Sequence, residues 1–217
     1  MISSTSDKIK VELRGHTALV TIDNPAANTW DTESLPALRD LVAELNAADS
    51  VYALVLTGAG EKFFSAGADL KLFADGDTAV AEEMGRLFGE AFEALADFRG
   101  VSIAAVNGFA MGGGLEVALA CDLRVAVSEA KFFYPVMKLG FLPQPSDPAR
   151  LTALIGPSRA KLILMAGQKI DAEIAHGWGL VDRLTTPETL MTDAQTLAAD
   201  TRAATPDHAA AIKGLLR

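Results

Sequence analysis

The spacing of hydrophobic and polar positions changes along the chain, and the change marks its organisation. Lys8–Arg14 alternates polar and apolar residues, Gly15 provides a turn, and Thr17–Ile22 resumes as a second strand. Asn24-Pro25 ends that strand. Leu35, Leu38, Leu41, Val42 and Leu45 then recur at helical spacing and predict a helix over 32–48, with Pro36 in its first turn. Val51–Thr57 is almost wholly apolar, the pattern of a strand covered on both faces, and 101–106 repeats it. Between them, a loop with a short helix holds Phe63–Phe73. A long helix over 77–98 follows, its stripe made of Val80, Met84, Leu87, Phe88, Phe92 and Leu95.

Beyond Asn107–Gly114 the pattern predicts an apolar helix at Leu115–Cys121, a strand at Leu123–Val127 and a short strand at 132–134. From about Asp147 it predicts helices at 147–155, 158–166, 171–177, 187–203 and 206–216, interrupted by one short strand near Leu180–Leu184. Strands alternating with helices, then helices, imply an α/β core over 1–146 followed by a helical C-terminal region over 147–217.

Composition narrows the function classes. Of 217 residues, 50% are hydrophobic, which suits a globular chain with a sizeable core. The formal charge of −9 disfavours nucleic acid as a partner, because that binding rests on neutralising phosphates. No stretch is long and apolar enough for a membrane span, and the polar start Met1–Asp7 does not read as a leader. The single cysteine, Cys121, has no internal partner for a disulfide. A cytoplasmic location is the expectation.

Two places combine a buried strand with a glycine-marked exit: Phe63–Leu70 and Asn107–Glu116. Small residues let backbone amides approach a ligand, and the first amides of a helix are unpaired donors for an anion or a developing oxyanion. Neither segment fits a dinucleotide or P-loop code: Ala110 and Val117 occupy positions where G-x-G-x-x-G needs glycine. Spacing alone favours the plainer reading, tight packing of a helix on a sheet at Gly112–Gly114.

Ala104–Ala126 strongly resembles the signature of the crotonase (enoyl-CoA hydratase/isomerase) superfamily, and Phe63–Leu70 resembles its other hallmark at the expected distance upstream. Asn24–Asn28, Leu139–Pro143, Arg150–Gly156, Ala166–Ala172 and Gly177–Asp182 extend the match over about 8–205. The resemblance implies a crotonase-like spiral of strand-strand-helix units with a helical C-terminal region, shorter here than in the family. It implies assembly as a homotrimer or a dimer of trimers. The ligand implied is an acyl-CoA or enoyl-CoA, with coenzyme A as part of the substrate and no separate cofactor or metal. By motif position, the amides of Ala68 and Gly113 would hold the thioester oxygen. Ala66, Asp69, Leu70 and Lys71 would line the adenine and pantetheine path, with Ala26 on the early substrate-side loop and Gly112 beside the oxyanion amides. Phe88, Phe109, Met111, Val136 and Phe141 suggest an apolar pocket wall, which ordinary core packing explains as well.

Glu116 matches the first of the two glutamates that hydratases of this family use, where it positions or deprotonates water; alone, it reads as an acid suited to a helix N-terminus. The second glutamate should follow Pro135, and Val136 stands there. Gln144, near the position some isomerases of the family use, is not a base either. Asp147, the remaining nearby carboxylate, reads first as an N-cap ahead of Pro148 and second as a reserve acid/base. These departures leave two function classes: an enoyl-CoA hydratase or isomerase with Glu116 as principal acid/base, and a CoA-thioester-binding relative without turnover. A distant third, peptide hydrolysis on the same fold, has Ala110 where its nucleophile would sit.

Overall fold

The computed structural model describes residues 2–144 and 146–216. Two sheets form in alternation. The larger has six strands: β1 (Ile9–Arg14), β2 (Thr17–Ile22), β3 (Ala53–Gly58), β5 (Val101–Val106), β7 (Leu123–Val127) and β10 (Arg183–Thr185), in that spatial order. β1 and β2 are an antiparallel hairpin turned at Gly15, and every later pairing in this sheet is parallel. The smaller sheet runs β4 (Phe63–Ser65), β6 (Phe109–Met111), β8 (Lys131–Phe133) and β9 (Ile170–Asp171). After β3, β5 and β7 the chain steps into the smaller sheet, then leaves through a helix or loop. This repeated strand-strand-helix path is the spiral that the sequence motifs implied.

The apolar runs became central strands because both faces are covered. Leu54, Val55 and Leu56 of β3 and Ile103, Ala104 and Ala105 of β5 are fully buried. The helices α1 (Ser34–Ala47) and α2 (Thr78–Ala96) pack against each other, burying Leu38, Leu41 and Leu45 from one and Met84, Phe88 and Phe92 from the other. The two-to-three-residue strands of the smaller sheet, β4, β6 and β9, were not expected. They are too short for an alternation to register, and side-chain pairing supports them: Phe63 and Phe109 meet edge to face at 5.7 Å.

The corner between the sheets is tied by two asparagines. Asn107 Nδ2 donates to Gly58 O (3.0 Å) and Gly60 O (2.8 Å), while Gly58 N–H donates to its Oδ1 (3.1 Å). Asn28 Nδ2 donates to Ala59 O (2.9 Å) and Phe63 O (2.8 Å). The turn carbonyls are thereby satisfied where no strand can reach them.

In the C-terminal region, α5 (Ser146–Ile155), α6 (Pro157–Leu164) and α7 (Ala172–Trp178) fall close to the predicted spans. The helix expected over 187–203 is instead α8 (Leu190–Leu197) followed by a 3-10 segment, Ala199–Ala203. Bonding tightens at the break: Ala198 N–H donates to Gln195 O, and the Thr201 hydroxyl takes the Ala198 carbonyl at 2.6 Å. A short helix, α4 (Val136–Leu139), also lies outside the predicted set. α9 (Pro206–Leu215) is held by Lys213, whose ammonium donates to Phe98 O (2.6 Å) and Gly100 O (2.9 Å) and pairs with Asp122.

Arg124 joins the core to the C-terminal region. Its buried guanidinium donates to Leu180 O (2.7 Å) and Cys121 O (2.9 Å) and pairs with Asp182 at 3.3 Å. Replacing it by Met removes these donors while keeping much of the bulk. Arg124→Met is expected to lower the unfolding free energy by about 3 kcal/mol, measured by urea denaturation followed by circular dichroism.

Candidate active site

The helix α3 (Gly113–Ala120) is buried along its whole length, with polar Glu116 among residues that are otherwise glycine or apolar. Its N-terminus is pressed onto the chain leaving β4. A Cβ on Gly114 would lie 2.1 Å from Ser65 O, and one on Gly67 would lie 2.8 Å from Met111 O and 3.0 Å from Gly113 N. Only glycine permits this approach. It brings segment 66–68 beside 112–113, as the two motifs implied.

Ala68 forms an isolated parallel bridge with Trp30: Trp30 N–H donates to Gly67 O (2.8 Å) and Asp69 N–H to Trp30 O (2.9 Å). That pattern uses the groups of residues 67 and 69 and turns the Ala68 N–H to the side away from Trp30. Gly113, as the first residue of α3, has an amide with no intrahelical acceptor. Both residues line one cavity of about 180 Å³.

Of the sequence-predicted site residues, Ala66, Ala68, Leu70, Gly112, Gly113, Glu116, Val136 and Phe141 line this cavity. Five do not. Ala26 lies exposed on its loop. Asp69 caps the 3-10 turn Leu70–Phe73 by accepting from Lys71 N–H at 3.1 Å, and the Lys71 side chain is exposed. Phe109 is taken up by its contact with Phe63 and by Lys169, 5.6 Å above its ring. Asp147 sits behind Glu116, described below. Phe73, Ala81, Gly85, Tyr134 and Leu142, to which no sequence motif pointed, also form wall. Ala81, Met84, Gly85 and Phe88 lie at helical spacing on α2, so an extension of that stripe was the available signal.

The expected N-cap role of Asp147 is overturned. Asp147 lies in the first turn of α5 with 1% of its surface exposed, and its carboxyl meets that of Glu116. The fold forces this: α3 and α5 pack together, and the faces in contact each present an acid. With both groups ionised, neither buried Asp147 oxygen would have a donor. A proton shared with Glu116 supplies one. Burial, then the neighbouring Asp147 charge, raises the Glu116 carboxyl well above the usual range. Burial also pushes Asp147 up to about 6, opposed by the Glu116 hydrogen bond and the Arg150 charge. Among the described residues lining the cavity, Glu116 carries the one carboxyl.

Other reactive groups are placed elsewhere. Burial pushes the Cys121 thiol up to about 12, which keeps it protonated and inert. His16 and His176 bond backbone oxygens of Ser50 and Val181. A larger cleft of about 700 Å³ lies at the far end of α3, lined in part by Cys121, Asp122, Arg150 and Lys213, and its two named cations are committed to carboxylates. Among the described residues, no helix is long and apolar enough to cross a membrane.

Comparison with known proteins agrees with this fold. A sequence model described as enoyl-CoA hydratase/isomerase matches residues 12–217. A short-chain-enoyl-CoA hydratase of Clostridium acetobutylicum is 37% identical over 193 residues, covering 88% of this chain and 74% of that protein. A carnitinyl-CoA dehydratase of Salmonella arizonae is 35% identical over 212 residues, covering 98% of this chain and 81% of that one. Among solved structures, DspI of Pseudomonas aeruginosa is 51% identical with a TM-score of 0.94, covering 97% of this chain and 86% of the other. An enoyl-CoA hydratase of Bacillus anthracis is 30% identical with a TM-score of 0.92, over 97% and 82%.

The buried acid pair predicts a pH signature. The folded Asp147 value of about 6 lies above the roughly 3.9 of an unfolded aspartate. Its stabilisation is therefore full below about pH 4 and is lost as pH climbs through 6. Asp147→Asn cannot lose a proton. Relative to wild type it is expected to gain stability between pH 4 and pH 8, on the order of 3 kcal/mol, in paired thermal melts across that range.

Proposed function

This chain belongs to the enoyl-CoA hydratase/isomerase family, and on that footing we propose that it converts an enoyl- or acyl-CoA thioester through an enolate, with Glu116 as the acid/base. The observation that carries the proposal is the position of Glu116. It is buried on the wall of the cavity that Ala68 and Gly113 also line, one helical turn after Gly113.

The chemistry follows from the charges. Attack at the β-carbon, or removal of an α or γ proton, sends electrons to the thioester oxygen. Two backbone amides, Ala68 and Gly113, would receive that oxygen. They are preorganised and do not titrate, and losing one such donor typically costs about 3 kcal/mol of barrier. Fixed amides also suit a chain with net charge −9, since they attract an oxyanion without nearby cations.

For water addition, ionised Glu116 takes a proton from water as the oxygen bonds to the β-carbon. The same carboxyl then returns that proton to the α-carbon of the enolate, so no net proton is consumed. Dehydration is the reverse. For double-bond migration, Glu116 moves a proton between the α- and γ-carbons. Relatives named hydratase and dehydratase favour the water reactions. Val136 on the wall, where hydratases of the family have a second glutamate, favours a second reading: a thioester-binding protein without turnover.

Incubation with a panel of enoyl-CoA esters in heavy water, followed by mass spectrometry, separates the two. Product formation or deuterium at the α-carbon is expected. Glu116→Gln is expected to cut turnover by about 10²–10⁴-fold while CoA-ester binding, read by calorimetry, persists. Full activity in that variant removes Glu116 from the mechanism, and binding with neither product nor exchange in wild type establishes the second reading.

A further inference from the structure

The sealed carboxyl behind Glu116 has a cation on its far side. Arg150, one helical turn along α5, places Nη1 3.7 Å from Asp147 Oδ1. The guanidinium does not hang free. Nη1 donates to Ser146 Oγ at 3.1 Å, and Nη2 donates to Glu93 Oε2 of α2 at 3.0 Å. The Arg150 side chain is 20% exposed and lines the 700 Å³ cleft, so it stands between that cleft and the acid pair. The charged groups facing Asp147 are therefore Glu116 from α3, Glu93 from α2 and Arg150 from its own helix.

We propose that Arg150 is a positioning residue that acts through Asp147: anchored by Glu93 and Ser146, it holds the negative charge of the acid pair on Asp147 and so keeps the shared proton on Glu116, where the cavity can use it. The two carboxyls differ in surroundings, and that difference decides where the proton rests. Among the described residues no cation acts on Glu116, whereas Asp147 has one at ion-pair distance. Asp147 does not line the cavity, so it can store charge or a proton without meeting substrate. When Glu116 must act as a base, its proton passes to Asp147 along the hydrogen bond between them. When the α-carbon takes a proton from Glu116, Asp147 supplies the replacement. Each transfer moves one proton within the pair and needs no bulk solvent. The inference rests on the reading of Glu116 as the acid/base, but its physical core, the location of the charge, can be read without turnover.

The test follows the carboxyl carbons of Glu116 and Asp147 by NMR across pH in protein labelled at aspartate and glutamate, with Glu116→Gln and Asp147→Asn to assign them. In wild type the first proton lost is expected to be tracked by the Asp147 carbon. Arg150→Gln should raise that first step by about one pH unit, the lower end of the effect of a nearby opposite charge on an acid. Arg150→Lys should restore most of it. Glu93→Gln, which removes a competing anion on a half-exposed side chain, should lower it. A folded Arg150→Gln whose Asp147 titration stays in place, or a first step tracked by Glu116 in wild type, overturns the proposal. If Arg150→Gln does not fold, Glu93→Gln decides: a downward shift supports the charge assignment and an unmoved one overturns it. The acidic limb of kcat/KM should move with the NMR titration. Carboxyl shifts with an unmoved rate profile would leave the charge assignment standing and count against Glu116 as the acid/base.

Discussion

The closest backbone approach in the site, between Ser65 O and the start of α3, is the constraint from which the rest follows. A helix N-terminus cannot normally rest against a strand exit, because a single Cβ on either side holds them apart. Here glycine at 114 leaves room for the Ser65 carbonyl, and glycine at 67 leaves room for Met111 O and Gly113 N. The contact sets two backbone segments from different turns of the spiral side by side. It gives the cavity two walls that are peptide rather than side chain, so that amides can act there. It also aims the first turn of α3, with Glu116, along the same cavity.

The second consequence is electrostatic. A helix as buried as α3 can carry an acid only if the acid is partnered or protonated, because desolvating an isolated carboxylate is costly. The partner supplied by α5 is another acid, an arrangement that works only with a shared proton and a nearby cation. The Glu116–Asp147 pair shares the first and Arg150 supplies the second. The same packing that buries Glu116 thus raises its proton affinity well above that of an ordinary carboxylate. Structure and chemistry have one cause here.

Val136 changes the usual division of labour. In a two-glutamate site both acids touch the substrate. In this protein Asp147 lies one layer back, behind Glu116, while the apolar side chain of Val136 faces the cavity. The cavity wall is drier and more apolar for it, with Met84, Phe88, Val136 and Phe141 around one carboxyl. Among the described residues lining the cavity, only the Glu116 carboxyl can exchange a proton with a ligand directly.

Much of this was readable from the chain. The apolar runs at 51–57 and 101–106 announced buried parallel strands, because a strand covered on both faces has no polar side to show. The glycine motifs announced close approach of backbone, which the structure meets as packing of a helix start on a strand exit, and the family resemblance implied that Ala68, Gly113 and Glu116 share one site. Local signals failed where tertiary contact supplied the stabilisation. The strands β4, β6 and β9 are held by neighbours, not by their own periodicity. Asp147 followed by Pro148 has the local chemistry of a helix cap, and nothing in its flanking residues reveals a glutamate some thirty positions earlier. Residue type and spacing along the chain were enough to give the family, the main strands and helices, and Glu116 as the candidate acid, because those depend on local sequence. Only the packing of α5 on α3 and α2 decided that Asp147 would be sealed against Glu116 with Arg150 behind it, because a carboxyl's partner and proton are set by what lies within a few ångströms in space.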